Sequence, residues 1–193
     1  MARPVEFERE VVLREAMNVF WRQGYNATSI KDIVDATNIQ PGSIYWAFGS
    51  KQKLFLEAVD CYHQDILRLV NATLKADLPP LERIEKFFHG LIEHSLNSGG
   101  NNGCLLINTL LEVAEHDKEI SGVISNIFEQ LEAGFTQVLK LAIVQGTISA
   151  DKNPENLAKL LIVSMYGLRV YSKGDANQQS LNTIINALIS AIV

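Results

Sequence analysis

Proline and glycine punctuate this chain at only a few places, and between them the apolar residues keep the period of a helix. The breaks fall at Gly24, Pro41-Gly42, Pro79-Pro80, Ser98 to Gly103, Gly146 to Pro154 and Lys173 to Gln179. The intervening segments show no convincing strand alternation and no internal repeat, so the chain is expected to be all-α. Its 193 residues, 47% hydrophobic, suffice for a small domain and a larger one.

The first segment, VVLREAMNVFWRQGY, puts Val12, Ala16, Val19 and Phe20 on one face, and Gly24 is its stop signal. TSIKDIVDAT follows, with Ser29 and Asp32 at capping-box spacing and Ile30, Ile33 and Val34 facing inward. Asn38 suits a left-handed turn position, and Pro41 suits the first turn of a third helix over about Gln40 to Phe48, anchored by Ile44. Two short helices joined by a tight turn, the second with a small polar leading edge, form a helix-turn-helix. A major groove admits one helix, whose N-terminal residues meet the base edges. Gly42 and Ser43 allow close approach and Gln40 can bond a base edge. Tyr45 and Lys51 can hold phosphates, and Arg3 on an N-terminal arm can reach the minor groove or a phosphate.

Charge supports this placement. The whole chain carries −5, which argues against indiscriminate coating of nucleic acid. Yet residues 1–55 hold seven bases against six acids, and the acids gather in the first helix, away from the groove. Binding through so small a patch should weaken steeply with salt.

In this region the sequence resembles the TetR family of bacterial transcriptional repressors. The likeness rests on Ala16, Phe20, Gly24-Tyr25, Thr28-Ser29, Ile33, Ala36, Gly42-Ser43-Ile44-Tyr45, Phe48, Ser50-Lys51 and Leu54-Phe55. It implies a homodimer with a three-helix DNA-binding domain at residues 1–49 and a helical effector-binding and dimerisation domain at 50–193. It also implies that Gln40, Pro41, Ser43, Tyr45 and Trp46 face the groove of a double-stranded operator while Ser29, Tyr45 and Lys51 hold phosphates. Asn38, Gln40 and Ala47 depart from the family's usual glycine, serine and histidine. GCLLINTLLEVAEHDKEI, from Gly103 to Ile120, and the later GLRVYSK look like one branch of the family.

The rest reads as further helices: a long linking helix capped by Ser50, LERIEKFFHGLIEHSL, CLLINTLLEVAEH, and a long helix from about Lys118 to Gln145. The last two, about 155–172 and 179–193, carry seams at Leu157, Leu161, Ser164 and Leu168 and at Leu181, Ile185, Leu188 and Ile192. Ile162, Val163, Ile184, Ile189 and Ala191 make them apolar on more than one side, as helices buried against both a core and a second subunit would be.

A repressor needs a signal that prefers its non-binding state. Tyr62, Phe87, Phe88, Leu91 and Tyr166 can line an apolar effector pocket, though each singly also suits a plain core. Cys104 follows a glycine-rich loop at a helix start, where a thiolate is favoured. Lys173 adds positive charge if the fold brings it near. The competing reading makes Cys104 a small buried hydrophobe. His89 and Glu93 supply one edge of a metal site, short of the four ligands a closed site needs, so no metal or cofactor is expected. No nucleophile-base motif or phosphate loop suggests an enzyme. The charged start MARPVEFERE, two cysteines and no bilayer-length apolar run fit a cytoplasmic protein without membrane contact. The alternative is a helical ligand-binding or interaction protein that binds no DNA.

Overall fold

The computed structural model describes residues 8–97, 102–174 and 177–193. Arg3 and residues 98–101 of the glycine-rich break, both singled out above, lie outside the described residues. Among the described residues the chain forms nine α-helices and no strand. They are α1 (Arg9–Gln23), α2 (Ile30–Thr37), α3 (Pro41–Phe48), α4 (Lys51–Ala72), α5 (Pro80–Asn97), α6 (Leu105–Val113), α7 (Lys118–Val144), α8 (Pro154–Tyr171) and α9 (Gln178–Ile192).

Side chains set several helix starts. Ser50 Oγ accepts from Lys53 N, Asp117 Oδ1 from Ile120 N, Asn153 Oδ1 from Asn156 N and Asn177 Oδ1 from Ser180 N. Each satisfies an orphan N–H and stabilises its helix by about 1 kcal/mol. Gly24 ends α1 at φ +87°, a conformation that strains any residue with a Cβ.

The chain divides into two compact units. The first comprises residues up to Asp65 together with Cys104–Ile124, so it contains α1, α2, α3, most of α4, α6 and the start of α7. Its core holds Val12, Ala16, Val19 and Phe20 from α1, as the periodicity predicted, joined by Leu54, Phe55, Ala58 and Val59 of α4. Phe20 meets Phe55 edge-on at 4.9 Å between ring centroids. Arg9 pairs with Glu57 at 2.6 Å and Arg14 with Asp65 at 3.5 Å, joining α1 to α4 at the surface. The exposed Arg9–Glu57 pair is worth at most about 1 kcal/mol.

The second unit comprises Ile66–Gly103 and Ser125–Val193. In it α5 packs against both α8 and α9. Phe87 and Phe88 of α5 and Phe135 of α7 form one buried aromatic cluster, with centroids 5.1 to 6.0 Å apart. Of the two seams, Leu161, Leu168, Leu181, Ile185, Leu188 and Ile192 are buried. The opposite faces remain open: Leu160, Val163 and Val170 on α8, and Ile184 with the small Ala187 and Ala191 on α9. Val163 is 62% exposed. Aliphatic residues at helical spacing on two adjacent helices make a surface that water solvates poorly.

Candidate nucleic-acid interface

α2 begins with the expected capping box. Ser29 Oγ accepts from Asp32 N at 3.2 Å, and the Asp32 carboxylate accepts from Ser29 N at 2.7 Å and Ser29 Oγ at 2.6 Å. The Ser29 hydroxyl, then its backbone N–H, hold the Asp32 carboxyl below the usual carboxylate range. Both Ser29 donors therefore point at Asp32, which gives this predicted phosphate ligand a capping role in the free protein. Ile33 alone of the three predicted inward residues is fully buried; Ile30 and Val34 are half-buried. The turn to α3 passes through Asn38 at φ 56°, ψ 28°, in the left-handed region.

α3 opens at Gln40, whose extended backbone makes it the N-cap while its carboxamide makes no cap bond. Pro41 fills the first helical position, where a missing N–H costs nothing. Ile44 and Phe48 are buried and fasten one side of this eight-residue helix. Each contributes roughly 1.5–3 kcal/mol of burial. On the other side Gln40, Pro41 and Gly42 are exposed and Ser43 is half-buried. A Cβ at Gly42 would meet nothing within 4 Å, so the surface there is open. Tyr45 is 50% exposed and Trp46 81%. Two large aromatics held in water on a short helix lose the stabilisation that burial would give, which suits them to a ligand surface.

Lys51, the first residue of α4, is more enclosed than a phosphate clamp needs to be. Its ammonium lies 4.6 Å over the Tyr25 ring and donates to the Asn26 carbonyl at 3.4 Å. Burial pushes its pKa down, opposed by the nearby Glu112 and Asp32 carboxylates. Periodicity in the sequence gives no hint of Glu112. This α6 residue accepts from Asn26 N at 3.0 Å across 86 positions of sequence.

The effector candidates fall into separate groups. In the first unit Tyr62 and Cys104 are buried, and the Tyr62 hydroxyl donates to Cys104 Sγ at 3.7 Å. Cys104 is the N-cap of α6. In the second unit Phe87 and Phe88 belong to the aromatic cluster and Leu91 is buried beside them in sequence. Tyr166 is half-buried and meets Phe128 edge-on at 4.7 Å. The Lys173 side chain lies against Gly103, whose φ of +71° and lack of a Cβ admit it. His89 Nε2 sits 3.8 Å from the Glu85 carboxylate, one turn before it. Among the described residues no helix is long and apolar enough to cross a membrane.

Two family models match the chain. Residues 12–58 match bacterial regulatory proteins of the tetR family, and residues 80–188 match the tetracyclin repressor-like C-terminal domain. Among relatives, the HTH-type transcriptional repressor DhaR of Mycobacterium sp. (strain GP1) is 26% identical, over 96% of this chain and 92% of that protein. The uncharacterized HTH-type transcriptional regulator YezE of Bacillus subtilis is 29% identical over the full length of both. Among solved structures, a cysteine mutant of the TetR family regulator CifR complexed with 26-base-pair operator DNA superposes with a TM-score of 0.90. It is 26% identical, and all of both chains is covered.

Proposed function

The chain belongs to the tetR family of bacterial regulatory proteins, and on that premise we propose that it is a homodimeric, DNA-binding repressor reading a palindromic operator. Residues 1–49 form its reading domain and residues 50–193 its effector and dimerisation domain. The exposure of Tyr45 and Trp46 on a helix fastened by Ile44 and Phe48 carries this reading. Gln40, Pro41 and Ser43 lie at the leading end of the same helix and reach base edges. The Tyr45 hydroxyl bonds a phosphate, and Trp46 packs on the backbone or a thymine methyl. Lys51 supplies positive charge at the rim and Ser29 marks the N-terminus of α2, which favours phosphate. The open faces of α8 and α9 join two copies, spacing two α3 helices about one DNA turn, ~34–36 Å, apart. The protein acts in the cytoplasm and has no catalytic role.

Selection of random duplexes on the purified protein at low and moderate salt tests this. An enriched palindrome whose binding falls steeply with salt is expected. No enrichment from a folded dimer would favour a helical ligand-binding or interaction protein instead.

Release belongs to a small-molecule or thiol-reactive signal. The aromatic cluster of Phe87, Phe88 and Phe135, with Leu91 on α5 and Tyr166 on α8, supports an apolar effector. The Tyr62 hydroxyl bond to Cys104 Sγ, at the N-cap of α6, supports a thiol signal at Cys104. Cys104→Ser is expected to keep operator affinity and lose oxidant-driven release. Oxidant release that survives the substitution would mean that the Cys104 thiol is not the sensor.

A further inference from the structure

The turn between α1 and α2 is gripped on both of its polar sides. Glu112, in the last turn of α6, accepts from Asn26 N through Oε2 at 3.0 Å. Its other oxygen occupies the space a Cβ at Gly24 would need, so this close approach also requires glycine there. Opposite, Lys51 Nζ donates to Asn26 O at 3.4 Å while lying over the Tyr25 ring. A second tie lies near: Gln52 Nε2 donates to Asp117 Oδ2 at 3.0 Å and Glu119 Oε2 at 3.2 Å, joining the start of α4 to the start of α7.

The gripped turn leads directly into the reading helices. Buried Thr28 donates through Oγ1 to Gly24 O at 2.6 Å, and Ser29 then opens the α2 capping box. Gly24 to Ser29 is thus one hydrogen-bonded run from the end of α1 to the start of α2. α2 is short and has one fully buried side chain, Ile33, so its own packing fixes its position only weakly.

We propose that Glu112 is a positioning residue for operator binding: its carboxylate holds the Asn26 amide so that α2, and α3 behind it, meet the duplex in one register. This rests on the DNA-binding reading above. Without the carboxylate the Asn26 amide turns to water, and the turn must be ordered anew each time the protein docks. A bond to a charged acceptor is lost, which corresponds to an affinity loss of about tenfold.

The test uses the full-length dimer and the selected operator. Operator affinity is measured across a salt series for wild type, Glu112→Ala, Glu112→Gln and the neighbouring exposed Leu111→Ala. Exchange of the Asn26 amide and the thermal midpoint are followed in parallel. Glu112→Ala should bind about tenfold more weakly with an unchanged salt slope, because the same phosphates are met, and should lose protection at Asn26. Glu112→Gln keeps an acceptor oxygen and should recover most of the affinity. Leu111→Ala should match wild type. The proposal is overturned if Glu112→Ala binds as wild type does, or if its salt slope falls, which would make the effect one of charge at Lys51. It is also overturned if Glu112→Gln is as weak as Glu112→Ala, or if both lose affinity only in step with their thermal midpoints. A wild type that binds no duplex overturns the DNA reading and this proposal together. A wild type that binds, with Glu112→Ala equal to it, overturns the proposal alone.

Discussion

α3 and α8 both expose large side chains, but of different chemistry. α3 shows Tyr45 and Trp46, whose rings carry a hydroxyl and an indole N–H, beside Gln40 and Ser43. α8 shows Leu160, Val163 and Val170, which carry no polar atom beyond the backbone. An aromatic with a polar handle suits a wet, charged surface such as a nucleic-acid groove. An aliphatic stripe suits only another apolar surface, and the small Ala187 and Ala191 of α9 let a partner helix approach closely. The lesson is that exposure alone does not say what covers a face. The polar atoms carried on the exposed side chains do.

The sharpest way to break this comparison is to put a charge on the aliphatic face. Val163→Asp should dissociate the dimer, because a carboxylate buried without a partner costs several kcal/mol. Sedimentation should then show monomers, with operator affinity reduced by about a hundredfold or more as the two half-sites are no longer read together. A dimer that persists would place the interface elsewhere. Tyr45→Ala should act the other way round, leaving sedimentation unchanged and weakening operator binding by about tenfold through a lost phosphate bond. Trp46→Leu sharpens the contrast further, since it keeps an apolar side chain on α3 and removes the ring and N–H. A several-fold weaker operator complex is expected, whereas equal affinity would mean that Trp46 contributes only bulk.

The smallest effect concerns the α2 cap. The Asp32 carboxyl titrates below its ordinary value of 3.8, held down mainly by the Ser29 hydroxyl. A depressed acid contributes its stability above that ordinary value and loses it as pH falls through the lower folded value. Thermal midpoints followed from pH 6 down to about 2 should therefore show a small acid loss in wild type that Asp32→Asn lacks. Parallel profiles for the two proteins would count against the cap as a source of acid sensitivity.

Much of this was legible locally. Gly24 as a stop, the Ser29–Asp32 box, the left-handed Asn38 and Pro41 at the head of α3 all stand where short-range chemistry placed them. These signals act over three or four residues, which is why sequence carries them. The two-sided apolar pattern of α8 and α9 was legible as well, and Val163 and Ile184 are on the open side. Other features were not. The apolar pattern of CLLINTLLEVAEH extends past the end of α6, which stops at Val113. Lys51 is a free cation in the sequence and a half-enclosed strut in the structure, because Tyr25 and Asn26 come to it from another helix end. Glu112 is one of several acids near the middle of the chain, and only folding brings the Asn26 amide to it. Phe87 and Phe88 gave no sign of which would line a cavity; both are enclosed with Phe135.

α6 places two functional candidates on one piece of regular backbone. Cys104 is its N-cap and Glu112 sits in its last turn, both fixed by the helix Leu105–Val113. A helix fixes the angle between such points as firmly as their separation, at about 100° and 1.5 Å per residue. One residue inserted between them would leave both chemical groups intact yet swing the carboxylate about 100° around the axis, away from Asn26. The spacing of thiol and carboxylate is therefore a matter of phase, set by the number of residues in α6 between them.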